Sequence, residues 1–224
     1  MDAMPQRLIA NDEDLIINPE RRLSCVILAD KSSSMTGAPI DQLNRGLQVL
    51  HSEISRDSVA MKRVEVNVTS FGPVTVEQDF ATVDQFRMPV LQPEEETPIG
   101  AAVLSALASI EARKSMYLAH GLSYYRSWII MCTDGYPTDD WKAAAKALAK
   151  AERDKQVAAF FIGVDGADFG VLKQLSVRPP IHLANLQFPS LFQWLSASLR
   201  SASRSQLGVT QTTAPMPNTM KISQ

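Results

Sequence analysis

Leu23-Ser24-Cys25-Val26-Ile27-Leu28-Ala29-Asp30-Lys31-Ser32-Ser33-Ser34-Met35 is the stretch on which the fold turns. Leu23 to Ala29 is apolar on both faces apart from Ser24, as a strand must be when helices cover both sides of its sheet. Asp30, Ser32 and Ser34 then put oxygen-bearing side chains at alternate positions, and such a loop can turn them all toward one point. A hard divalent cation takes an oxygen shell of this kind, Mg2+ above all, because it keeps several waters and few carboxylates. Read alone, the same residues also make a Ser-rich turn that caps the next helix. Two distant stretches decide between these readings.

Beyond the loop, Ile40, Leu43, Leu47, Leu50 and Ile54 recur at helical spacing behind Pro39, which suits the first turn of a helix. Val64, Val66 and Val68 alternate, Gly72-Pro73 turns the chain, and Val74 to Phe80 gives a second run; the pattern predicts a hairpin. Residues 81–96 form an unpatterned connection. Thr97-Pro98-Ile99-Gly100 reads as an N-cap followed by proline at the first helical position, with Ile99, Val103, Ala106, Leu107 and Ile110 as the buried face. Lys114 to Arg126 joins this helix to a buried strand, Trp128 to Thr133, which ends in Asp134-Gly135. An alanine-rich helix follows at Trp141 to Lys155, then an apolar strand at Val157 to Val164 and a short helix at Asp168 to Val177. The last strand is expected at Ile181 to Ala184 and the last helix at Ser190 to Ser203.

Strands alternating with helices predict an α/β fold. Its sheet is doubly wound and mostly parallel, with one antiparallel edge strand and helices on both faces. The expected organisation is an N-terminal segment at 1–17, one domain at 18–204 and a disordered tail at 205–224, where apolar periodicity stops. In such sheets ligands bind beyond the carboxyl ends of the strands, at a topological switch. Asp30 and Asp134 are each the first polar residue past a buried strand, so both should open onto that edge. Thr97, at a helix start, can face it too.

The bulk of the sequence narrows the function. Its 224 residues are 45% hydrophobic and 21% charged, with a net charge of −2, which is an ordinary globular composition and argues against a general nucleic-acid binder. The cysteines, Cys25 and Cys132, fall in apolar strands. With the aspartates level, they lie about 10 Å apart along the strands, too far for a disulfide. No zinc-type spacing involves them, and His51, His120 and His182 are isolated. Asp12, Glu13 and Asp14 stand where a signal peptide needs its apolar core. No apolar run approaches the ~20 residues of a membrane span, and the expectation is a cytoplasmic protein.

Taken as a set, Asp30-x-Ser32-x-Ser34, Thr97 and Asp134-Gly135 resemble the metal-ion-dependent adhesion site of von Willebrand factor A domains. Within that superfamily, Ser70-Phe71-Gly72, Thr97-Pro98-Ile99-Gly100, Tyr124-Tyr125-Arg126-Ser127-Trp128 and Thr133 to Trp141 resemble bacterial TerY-type proteins of tellurite-resistance, stress and phage-defence clusters. The resemblance implies that Ser32 and Ser34 bind the metal directly, that Thr97 does so in one state, and that Asp30 and Asp134 act mainly through water. It also implies Mg2+, with Ca2+ or Mn2+ as alternatives, and a protein partner presenting an Asp or Glu to the metal. A kinase and a phosphatase are the associated proteins it suggests. The chain departs from many relatives at Lys31 and Ser33, where a small residue and glycine flank the second ligand; Lys31 sets a positive charge beside the site.

Two functions fit an aspartate after the first strand. One is a non-enzymatic, metal-dependent interaction module. The alternative is a Mg2+-dependent hydrolase or phosphatase using Asp30 as nucleophile, as haloacid-dehalogenase enzymes do. That chemistry needs a second acid two residues on, where this chain has Ser32. There is also no GxSxG elbow, P-loop or GxGxxG fingerprint. The interaction module is the better reading of the sequence.

Overall fold

A computed structural model describes residues 12–223. A short helix, α1 (Asp12–Ile17), leads into β1 (Leu23–Asp30), which carries the apolar stretch into the centre of the sheet with every residue buried. The order then runs α2 (Ala38–Ser55), α3 (Ala60–Arg63), β2 (Val64–Phe71), β3 (Thr75–Thr82), α4 (Ile99–Ala119), β4 (Ser127–Thr133), α5 (Lys142–Arg153), β5 (Val157–Gly163), α6 (Phe169–Leu175), β6 (Ile181–Leu183), α7 (Phe188–Ser203) and β7 (Met220–Ile222). One seven-stranded sheet holds them in the order β3-β2-β1-β4-β5-β6-β7. β2, β1, β4, β5 and β6 are parallel, and β3 returns antiparallel along one edge.

Alternation along β1 divides the core. Leu23, Cys25, Ile27 and Ala29 face α2 and α7, while Val26 and Leu28 face α4 and α5. The chain leaves β1 for β2 on one side, whereas β4 lies on the other. The switch point between β1 and β4 therefore opens at the carboxyl ends of both strands. Cys25 and Cys132 are free and buried.

Two expectations are corrected. Lys114 to Ala119 is not connection but the last turns of α4. Arg113, Lys114 and Tyr117 are charged or polar yet buried there, because their polar ends find fixed partners. Lys114 Nζ donates to the Gln156 carbonyl at 2.8 Å. Arg113 Nε and the Tyr117 hydroxyl converge on one carboxylate oxygen of Glu65. Arg22 Nε reaches the other at 2.9 Å. Glu65 and Arg22 are 0% exposed and Arg113 3%, so an ion-pair cluster lies wholly inside the protein.

The tail is the second correction. Residues 205–223 are anchored, not disordered: β7 pairs antiparallel with β6 through Leu183↔Met220 and Ile181↔Ile222 and adds a further antiparallel strand at the far edge. Upstream, Trp128 Nε1 donates to Gln211 Oε1 at 2.7 Å, Trp194 Nε1 donates to the Ala214 carbonyl at 2.8 Å, and Ser198 Oγ accepts from the Ala214 N–H. These partners come from the body of the domain, so the tail needs no periodicity of its own to order. Among the described residues no helix is long and apolar enough to cross a membrane.

Candidate metal centre

The loop after β1 folds back on Asp30. Asp30 Oδ1 accepts from the Ser32 N–H at 2.8 Å, and Oδ2 accepts from the Thr133 hydroxyl. The Ser32 and Ser34 hydroxyls lie 2.9 Å apart, and Ser34 Oγ donates to Asp134 Oδ1 at 2.7 Å. Thr97 comes from the far side. A side-chain carbon at Gly135 would stand 3.3 Å from Thr97 Oγ1 and 3.6 Å from Asp30 Oδ2. Asp30, Ser32, Ser34, Thr97 and Asp134 thus gather at the β1/β4 switch point despite the hundred residues separating Ser34 from Asp134.

Several neighbours that organise this cluster were not legible as such. Sheet register sets Ala29 beside Cys132, so Asp30 is level with Thr133, not Asp134, and Thr133 becomes its partner. The Lys31 ammonium turns to Glu94 at 2.6 Å and Glu77 at 3.1 Å. Its charge is compensated, and it pins the 94–96 segment to the loop, as does the Glu94 N–H donating to the Lys31 carbonyl. Gly72, at φ 135°, lets that segment lie close: a side chain there would meet the Glu96 carbonyl and the Ser32 nitrogen, each at 3.2 Å.

Thr97 is not the N-cap of α4. Asp139, from the loop after β4, caps that helix by accepting from the Gly100 N–H at 3.0 Å and the Ala101 N–H at 2.7 Å. The Thr97 N–H donates to Thr138 Oγ1 at 3.0 Å, and its carbonyl accepts from the Thr138 N–H. Its hydroxyl has no partner among the described residues, although Thr97 is only 6% exposed. A helix cap supplied from elsewhere leaves this oxygen free.

Gly100 makes the arrangement possible. A Cβ there would stand 2.8 Å from Trp141 Cα and 3.0 Å from Asp139 Oδ2. Gly100→Ala is therefore expected to cost about 1–3 kcal/mol through overpacking and to weaken metal affinity by moving Thr97. Thermal unfolding and a Mg2+ titration of the same variant check both; unchanged affinity would show that Thr97 is placed by something else.

Burial pushes the Asp30 carboxyl up to about 6, against the hydrogen bonds from Ser32 and Thr133 that pull it down; Asp134 adds repulsion. A cation beside it favours the ionised form. The donor set fits a small hard ion. Adjacent ligands of an octahedral Mg2+ at about 2.1 Å stand about 3 Å apart, the spacing of the Ser32 and Ser34 hydroxyls. Among the described residues no group of three or more His, Cys, Asp or Glu side chains could hold a metal, so hydroxyls, not an acidic cage, make up the candidate shell.

The family model of the von Willebrand factor type A domain matches residues 25–193. No curated protein sequence matches the chain. Among solved structures, the pilus adhesin SpaC from Lactobacillus rhamnosus GG superposes with a TM-score of 0.65 at 12% identity, over 82% of this chain and 31% of that one. The ArnB paralog VWA2 from Sulfolobus acidocaldarius gives 0.52 at 17% identity, over 80% and 45%. Proximal thread matrix protein 1 from the mussel byssus, in a structure whose adhesion-site motif holds zinc, gives 0.53 at 15% identity, over 80% and 48%. This chain spans half or less of each of these proteins, and at such identities the likeness is one of fold.

Proposed function

Because the chain belongs to the von Willebrand factor type A domain family, we propose that it is a metal-dependent protein-interaction module, with Asp30, Ser32, Ser34, Thr97 and Asp134 as its adhesion site. The observation that carries this is the Thr97 hydroxyl, which has no hydrogen-bond partner among the described residues although its residue is 6% exposed, set against the hydrogen-bonded run of Ser32, Ser34 and Asp134. A bound divalent cation, Mg2+ first with Ca2+ or Mn2+ as alternatives, offers a partner's Asp or Glu an electrophilic coordination position. Ser32, Ser34 and Thr97 would hold it with neutral oxygens, which leave its charge under-compensated. Asp30 and Asp134 orient that shell. Asp30 is poorly placed as a hydrolase nucleophile, since both its oxygens are engaged. The likeness to TerY-type sequences extends the proposal to a cytoplasmic role in tellurite resistance or a related stress or phage-defence system, beside a kinase and a phosphatase.

The test begins with the chain alone. Saturating Mg2+ should raise stability by about 2.7 kcal/mol at a hundredfold excess over Kd, and EDTA should remove the gain. Ser34→Ala and Asp134→Ala should fold yet lose it. Capture of an acidic partner should follow the same dependence, without turnover in a phosphatase assay. Metal-independent capture that ignores Asp30→Ala would sink the reading, and turnover abolished by Asp30→Asn would favour the hydrolase.

A further inference from the structure

At the opposite end of the sheet from the metal loop lies a cavity of about 670 Å³, between the starts of β4 and β5 and the tail segment 208–213. That volume is within the range of small-molecule sites. Its lining holds four cations, Lys114, Arg126, Lys155 and Arg178, against one carboxylate, Asp154. Lys150 already engages Asp154 at 2.6 Å. The nearby Glu152 is used by Arg178 and by the N–H groups of Ala159 and Val177. Positive charge is therefore left over.

The cations are also held in place. Arg126 is fixed by the carbonyls of Val157 at 2.6 Å and Glu152 at 2.8 Å. Arg178 lies 5.1 Å over the Phe160 ring, and Lys114 5.8 Å over Tyr124. Burial, together with repulsion by Arg178, lowers the Arg126 pKa; burial lowers that of Lys114, Glu111 opposing and Arg126 adding. Glu152 pairs with Arg178 and also offsets part of the Arg126 charge, but four cations still outnumber the carboxylates facing them. Gln211 adds a neutral donor: its Oε1 accepts from Trp128, while its buried Nε2 has no partner.

We propose that this cavity binds a phosphate-bearing planar molecule of nucleotide size. The phosphate lies against Arg126 and Arg178, whose guanidinium forks suit phosphate oxygens. Lys114 and Lys155 complete the charge, so a multiply charged anion fits better than a single carboxylate. Tyr124, Tyr125, Trp128 and Phe160 give the cavity an apolar wall against which a ring can pack, and Gln211 Nε2 donates to an acceptor on the ligand.

The test titrates the full chain with AMP, ATP, adenosine and inorganic phosphate in EDTA, which removes any metal-bound nucleotide at the other end. Binding is read by calorimetry and by the fluorescence of Trp128, which lines the cavity. AMP and ATP should saturate, with adenosine and phosphate at least about tenfold weaker. Lys155→Gln, at an exposed position, and Arg178→Gln, which can still donate to Glu152, should each weaken AMP binding about fivefold or more with the melting temperature held. Asp134→Ala should leave it unchanged. Absence of saturable nucleotide binding into the millimolar range overturns the proposal. So does adenosine or phosphate binding as tightly as AMP, or affinity indifferent to both glutamine variants.

Discussion

Glu65→Ala is expected to destabilise the protein by about 3–5 kcal/mol, the usual cost of stripping one partner from a buried ion pair, and to lower Tm by about 10 °C. Arg113 bears most of this. Its Nε is paired to Glu65 at 2.7 Å, and beyond that it has, among the described residues, only a long contact to Met116 sulfur and the rings of Phe80 and Tyr117. Arg22 keeps the carbonyls of Glu20 and Asn18. Burial opposes the charge on Arg113, but the hydrogen bond and charge of Glu65 outweigh it and hold its pKa up. Burial, with Glu65 alongside, raises the Tyr117 pKa well above its ordinary value and keeps the phenol a donor. Glu65→Gln keeps acceptor and shape and should lose less. Chemical denaturation of the two variants decides; a loss under about 1 kcal/mol for alanine would mean that the arginines find other partners.

Truncation after Leu207 should also be costly. It removes β7, uncovers the Trp128 and Trp194 edges and strips the buried Met220 from the sheet. Burying one such side chain contributes about 1.5–3 kcal/mol, so a fall in Tm of at least about 4 °C is expected. A melting curve unchanged by truncation would mean that the tail contributes nothing to the fold in solution. A milder cut after Lys221 should lose little, since Ile222 is 54% exposed.

What the sequence revealed and what it hid have one physical division. Runs such as Leu23–Ala29 and Val157–Val164 show their strands because burial on both faces leaves no room for polar residues. The Asp30-x-Ser32-x-Ser34 loop is legible because its donors are neighbours in the chain. Lys31 with Glu77 and Glu94, Asp139 with Gly100, and Thr133 with Asp30 are pairings across the fold. Lys114 and Tyr117 look like surface residues until Gln156 and Glu65 appear beside them. The ordering of 205–223 is the same case: Gln211 and Ala214 signal nothing without Trp128 and Trp194.

The cap that Asp139 lends to α4 also decides how the candidate centre can deform. Through Thr138 and Asp139, Thr97 is lashed to the segment that carries Asp134. Through Lys31, Glu94 is lashed to the segment that carries Ser32 and Ser34. The centre is thus two jaws, not three independent loops; the Ser34–Asp134 and Asp30–Thr133 hydrogen bonds close them on each other, and Glu95 and Glu96 are the chain link between Glu94 and Thr97. Glu96 sits at φ 70°, a left-handed conformation that a residue with a side chain adopts at some cost. Strain therefore collects at the joint, and a pull on the Asp134 jaw travels two ways, to Thr97 through Thr138 and to Ser34 through its hydrogen bond to Asp134.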